Sequence, residues 1–172
     1  MNNISHAAMP PSQHSSVAAD FSPGNRRRLS GPGLRAFHAI ANDWELREKQ
    51  RLLLLGLPSR SAYHGWLRAA AAGADITLPL DTLLRISGVL GIHKALRILF
   101  QTAAEGRAWL RGPHEGVVFA GRAPLSVLID GTPDGILTVR RFLDAARGGL
   151  YMAPNAADWD FAPYTDQDVV FA

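Results

Sequence analysis

The side chains of this 172-residue chain that are able to do chemistry are dispersed in a way that argues against catalysis. Six histidines, His6, His14, His38, His64, His93 and His114, form neither an i, i+4 pair nor an H-E-x-x-H arrangement, so the usual helical metal-ligand spacing is missing. Cysteine is absent, which removes thiolate ligands, a thiol nucleophile and disulfides together and fits a reducing compartment. No G-x-S-x-G elbow, P-loop or G-x-G-x-x-G occurs. Asp130 and Asp134 imitate a carboxylate pair, but they flank Gly131-Thr132-Pro133 and read more simply as a helix end and a helix start. No catalytic residue, metal site or cofactor is expected.

Binding chemistry is better represented. Ser59, Arg60, Ser61, His64 and Arg68 remain on the outward face of a helix once its apolar residues Ala62, Tyr63, Trp66 and Leu67 are turned inward. Arginine can fork to guanine O6 and N7, serine can bond phosphate or base edges, and helix N-terminal amides favour phosphate, so this face suits DNA. A solvated helical hairpin would carry the same face. Further on, Arg122, Arg140, Arg141 and Arg147 make a basic set. The last 22 residues hold Tyr151, Trp159, Phe161, Tyr164 and Phe171, five of the chain's fourteen aromatics, together with Asp158, Asp160, Asp166 and Asp168 and no Lys or Arg. That tail carries −4, leaving 18 basic against 11 acidic side chains, or +7, in residues 1–150. A basic body suits a polyanion and an acidic aromatic arm suits pockets on a cationic partner, while solubility or a tail folded back over its own core would use the same residues.

The elements that must position these residues read as helices throughout. Residues 1–32 are rich in Ser, Pro, Asn and Gly with no apolar period, so they are expected to form a disordered arm with Arg26-Arg27-Arg28 exposed, either as a solvated linker or as a phosphate contact. Leu34, Phe37, Ile40 and Ala41 mark the inner face of a first helix, with Trp44 just past it. Leu46 to Leu55 make a second, ended by Gly56. Ser59 caps a third running to about Ala69, and the short Gly56-Leu57-Pro58 turn between them gives helix-turn-helix spacing. Leu80 to Leu90, stopped by Gly91, and His93 to Phe100 follow as a fourth and fifth.

Near the C-terminus, Pro124 opens a short helix in which Leu125, Leu128 and Ile129 are apolar. Thr132 caps another that begins at Pro133 and draws a stripe through Ile136, Val139, Leu143 and Ala146. Gly148 and Gly149 end it, with Gly148 expected in the left-handed cap conformation. No run alternates with period two, so the expected fold is all-α. The leucine run Leu52–Leu55 with Leu57 falls far short of the ~20 apolar residues that span a bilayer, and no apolar leader opens the chain, so a soluble protein is expected.

Gly121-Arg122, Val139-Arg140 and Leu143-Asp144-Ala145-Ala146-Arg147-Gly148-Gly149 resemble the toxin-binding segment of Xre/MbcA/ParS-type antitoxins. Leu83–Ser87, His93–Phe100 and Ala108-Trp109-Leu110 resemble the Xre-like half of the same family. The likeness spans roughly residues 34–149. It departs at Ala123, where the family commonly has a capping serine, and at Gly65 inside the third helix, each a loss of ~1 kcal/mol.

Composition and the resemblance together imply a helical bundle of four parts: from composition, a disordered basic arm (1–32) and an extended acidic aromatic tail (151–172), and from the resemblance, an Xre-like helix-turn-helix domain (33–100) and a small helical toxin-binding domain (101–150). The resemblance implies a cytoplasmic antitoxin, dimeric within a hetero-oligomeric complex, that binds a RES-domain toxin acting on NAD. Occlusion of that toxin is expected through Arg122, Arg140, Arg147, Gly148, Gly149, Tyr151, Trp159, Phe161 and Tyr164, with operator DNA read by Ser59, Arg60, Ser61, His64 and Arg68. The alternative is a stand-alone helix-turn-helix regulator without a toxin partner.

Overall fold

The computed structural model describes residues 22–149, and these contain seven helices and no strand. The helices are α1 (Pro23–Asp43), α2 (Glu48–Leu54), α3 (Arg60–Ala71), α4 (Leu80–Leu99), α5 (Ala103–Arg111), α6 (Pro124–Leu128) and α7 (Pro133–Arg147). They fall into two compact units, one ending at Leu90 and the other beginning at Gly91. No helix among the described residues is long and apolar enough to cross a membrane. The all-α expectation holds.

In the first unit α1 packs against α3. The expected inner face of α1, Leu34, Phe37, Ile40 and Ala41, is buried, as is Trp44 at its C-cap. Its beginning differs from the expectation. The helix starts at Pro23 rather than near residue 34, so Arg26, Arg27 and Arg28 lie on it and not on a disordered arm.

Two causes override the breakers Gly31-Pro32-Gly33. The Ser22 hydroxyl caps the Asn25 N–H at 3.3 Å with Pro23 in the first turn, a strong start signal. One turn further, the fully buried Ser30 hydroxyl donates to the Arg26 carbonyl at 2.6 Å and accepts the Leu78 N–H at 2.9 Å, tying the early turns of α1 to the segment before α4. Tertiary satisfaction of a buried N–H outweighs local propensity there.

The connection from α2 to α3 is set by backbone chemistry. Gly56 has φ +85° and Leu57 φ +59°. The Leu57 N–H reaches the Leu52 carbonyl at 2.8 Å and the Gly56 N–H the Leu53 carbonyl at 3.2 Å, a Schellman closure. Beneath it the buried Thr82 hydroxyl donates to the Leu55 carbonyl at 3.2 Å, anchoring the turn to α4. At the far end of α3 the Arg35 guanidinium donates to the Ala70 carbonyl at 3.0 Å, satisfying one orphan acceptor of the last turn.

Gly91 does not stop the fourth helix, and the expected fourth and fifth helices are one, Leu80–Leu99. A glycine inside a helix costs only ~1 kcal/mol when neither a proline nor a left-handed residue follows it. Gly91 has a packing role, because the Arg140 guanidinium lies where a Cβ would stand.

In the second unit α5 packs on α6 and α6 on α7. Thr102 and Glu105 form a reciprocal capping box at the start of α5, at 3.2 and 3.3 Å. Leu125, Val127 and Leu128 of α6 meet a buried Ile136, Val139 and Leu143 stripe on α7. Ala123 supplies no side-chain cap to α6, as the sequence implies, whereas the Thr132 hydroxyl accepts the Gly135 N–H at 3.3 Å. At the end of α7, Gly148 has φ −81° and Gly149 φ +86°, so the left-handed residue is Gly149 and not Gly148. The α7 cap N–H groups already reach Asp144 and Ala146 carbonyls before the chain reverses.

Candidate functional site

The five candidate DNA-facing residues stand together on the exposed side of α3. Tyr63 and Ala70 are buried and Ala62, Trp66 and Leu67 half-buried, which turns Ser59, Arg60, Ser61, His64 and Arg68 outward. Ser59 is the N-cap, its oxygen accepting the Ala62 N–H at 3.1 Å. Its hydroxyl proton is left to donate.

Two of the five are engaged by a residue that sequence reasoning missed. Glu48, the first residue of α2, pairs with Arg60 (Nε to Oε1, 2.9 Å) and with His64 (Nε2 to Oε2, 3.1 Å). The side chains are 77% exposed for Arg60, 51% for His64 and 37% for Glu48, so solvent screens both contacts. The only sequence signal was an acidic helix start facing a basic one across the turn. Between the C-cap Leu55 of α2 and the N-cap Ser59 of α3 stands the expected Gly56-Leu57-Pro58 turn.

The second unit carries the basic set. Arg140 and Arg147, one on each side of Asp144 on α7, share its carboxylate: Arg140 Nε lies 2.7 Å from Oδ2 and Arg147 Nη1 3.3 Å from Oδ1. Asp144 therefore holds two expected contact residues in a fixed pair, with the Arg140 guanidinium also laid across the α4 backbone at Gly91. Arg141 is exposed on the same helix. Arg122 is exposed on the loop before α6, and no hydrogen bond or ion pair joins it to the Arg140–Asp144–Arg147 group. Tyr151, Trp159, Phe161 and Tyr164 lie outside the described residues.

An aromatic cluster, also unforeseen, fixes the loop that presents Arg122. Trp109 stacks on Phe142 (centroids 5.8 Å apart, 22° between planes) and meets Phe119 edge-on at 5.9 Å, and Phe119 meets Phe142 at 4.9 Å. The His114 ring lies 5.0 Å from Trp109 and 5.7 Å from Phe119. His114 Nε2 is 2.9 Å from the Trp109 carbonyl oxygen, which only accepts, so that nitrogen carries the proton. The loop is closed by His114 N–H to the Arg122 carbonyl at 3.3 Å and Gly121 N–H to the His114 carbonyl at 2.9 Å. Its reversal uses Ala120 and Gly121, both with positive φ, at 48° and 79°. His114 is thus a half-buried residue held by this cluster. Periodicity could not reveal it, because the cluster gathers residues from α5, a loop and α7.

Among the described residues no group of three His, Asp or Glu side chains is placed to hold a metal ion.

Comparison with known proteins agrees with the second unit. Residues 95–149 match the model of the antitoxin Xre/MbcA/ParS C-terminal toxin-binding domain. The matched stretch begins in the second half of α4 and ends at the left-handed Gly149. Over 116 residues the chain is 40% identical to the uncharacterized protein y4oB of Sinorhizobium fredii (strain NBRC 101917 / NGR234), covering 67% of this chain and 84% of y4oB.

Proposed function

On the premise that the chain belongs to the Xre/MbcA/ParS antitoxin family through its C-terminal toxin-binding domain, we propose that it neutralises a RES-domain toxin, one that consumes NAD or transfers ADP-ribose from it. The observation that carries this reading is the coincidence of the matched residues 95–149 with helices that bury their own apolar core. That scaffold presents the Arg140–Asp144–Arg147 group and Arg122, and in the sequence Tyr151, Trp159, Phe161 and Tyr164 follow its last described residue, Gly149. An acidic aromatic segment suits a pocket whose cationic side chains hold an anionic dinucleotide. Occlusion of that pocket is the inhibitory act in this reading.

The exposed face of α3 supports a second role for the same protein, binding operator DNA upstream of its own gene through Ser59, Arg60, Ser61, His64 and Arg68. A dimer would let two such faces meet two half-sites. Leu29 and Leu84, both exposed, rim an apolar groove of about 670 Å³ between α1 and the first half of α4, which offers surface for a second copy. The cytoplasm is the compartment in which both the toxin's NAD and the operator are found.

The occlusion reading is tested by ending the chain after Gly149. The shortened protein keeps every described helix, so it should still bind the toxin while the co-expressing cells lose NAD. Equal protection of NAD by the shortened and full chains would remove the tail from the mechanism.

A further inference from the structure

Glu48 occupies a position that the DNA reading does not explain. It opens α2, where a carboxylate complements the helix dipole, but its two oxygens are directed at α3, one on Arg60 and the other on His64. Arg47 and Lys49, its chain neighbours, are both exposed. The Glu48 carboxylate is therefore shared between Arg60 and His64, two of the five outward residues of α3.

We propose that Glu48 is an internal competitor for nucleic acid, a carboxylate that DNA phosphate or a base edge must displace before Arg60 and His64 can act. The proposal rests on the reading that α3 faces DNA. The geometry has two consequences. A phosphate that approaches Arg60 closely also approaches Glu48, so like charges meet unless the pair opens first. Because the pair is exposed and screened, its opening costs little; the guanine edge offers Arg60 two acceptors without net charge and so is not repelled by the Glu48 carboxylate, whereas a phosphate is. Glu48 thus weakens sequence-independent binding more than specific binding, making it a specificity-determining residue that need not touch DNA.

The test compares the full-length chain with Glu48→Gln, which keeps the shape and removes the charge, and with Glu48→Asp, which keeps the charge. Binding is measured by fluorescence anisotropy over a range of salt concentrations on two labelled duplexes, one copied from directly upstream of the gene and one of mixed sequence. Thermal melting of each variant separates folding effects from binding.

Glu48→Gln should bind the mixed duplex about two- to fivefold tighter, the range set by an exposed ion pair. Its affinity should fall more steeply with salt by about one unit of logarithmic slope, as one more phosphate is neutralised. Glu48→Asp should stay near the unaltered protein, and adding Arg60→Ala to Glu48→Gln should erase the gain. If Glu48→Gln binds equally or more weakly while Arg60→Ala still impairs the unaltered chain, the competitor role is overturned and the DNA face stands. If no protein binds either duplex at low salt, both are overturned. A gain that survives Arg60→Ala also overturns the proposal.

Discussion

His38, on α1, shows how one side chain links the interior to solution conditions. Its Nδ1 lies 3.4 Å from Arg51 Nη1, and Arg51 Nε donates to the Leu46 carbonyl at 2.8 Å. A guanidinium only donates, so Nδ1 accepts and the ring is neutral. Burial, and then the charge of Arg51, lower the His38 pKa from its ordinary 6.5. The folded protein therefore binds fewer protons than the unfolded chain as pH falls through that value. This contribution to stability is complete above about pH 6.5 and is lost as the solution becomes more acidic. In urea melts at a series of pH values, His38→Gln, which keeps an acceptor for Arg51, should flatten the decline in stability below pH 6.5; an unchanged decline would place its origin elsewhere.

At this scale the sequence was readable wherever a residue's role follows from helical period. Ser59, Arg60, Ser61, His64 and Arg68 emerge on one exposed face because Tyr63 and Ala70 are driven inward. Glu48 was unreadable because its contact with His64 spans sixteen positions and exists only after the Schellman turn has aligned α2 with α3. The Trp109–His114–Phe119–Phe142 cluster was hidden for the same reason.

Among the elements, the capped helices were the most legible and the glycines the least. Ser59, Thr132 and Pro133 each mark a start that the structure honours, because capping is a local matter of one hydroxyl and two or three N–H groups. Glycine is ambiguous, since the same residue permits a stop, a left-handed turn or a close approach. Gly56 is a stop, whereas Gly91 makes room for Arg140 inside a continuous helix. The early start of α1 was obscured by Pro32, and only the buried Ser30 bonds explain why the helix persists through it.

Gly135 is a third case, in the packing of α6 on α7. A Cβ there would collide with the Val127 carbonyl oxygen and lie 2.9 Å from both Asp130 carboxylate oxygens. Backbone cannot yield as a flexible side chain can, so Gly135→Ala must force the two helices apart. The expected destabilisation is about 1–3 kcal/mol by chemical melting, as for other overpacked interiors, with weaker toxin binding in proportion to the unfolded fraction. Unaltered stability would mean that α6 is not held against α7 as described.

For the whole molecule, the decisive property is the division of labour along the chain. Residues 1–150 carry +7 and residues 151–172 carry −4, a division that suits the proposed pairing of a basic body with nucleic acid and an acidic segment with a cationic protein pocket. The helical class was legible from period and the absence of alternation, and the family from the α6–α7 segment, whose caps and arginines lie close together in sequence. The division at Leu90 was not, because a single helix runs through it without a break at Gly91.

The central claim is that this chain neutralises a toxin, and the adjacent reading frames are the place to look for that toxin. The direct measurement expresses each adjacent reading frame in a bacterial host with and without the full-length chain, following growth, cellular NAD and co-purification with the tagged chain. One frame alone should arrest growth and deplete NAD, and co-expression should restore both with the two proteins recovered as a complex. An adjacent toxin whose effect is unchanged by the full-length chain, with no complex recovered, would contradict the account.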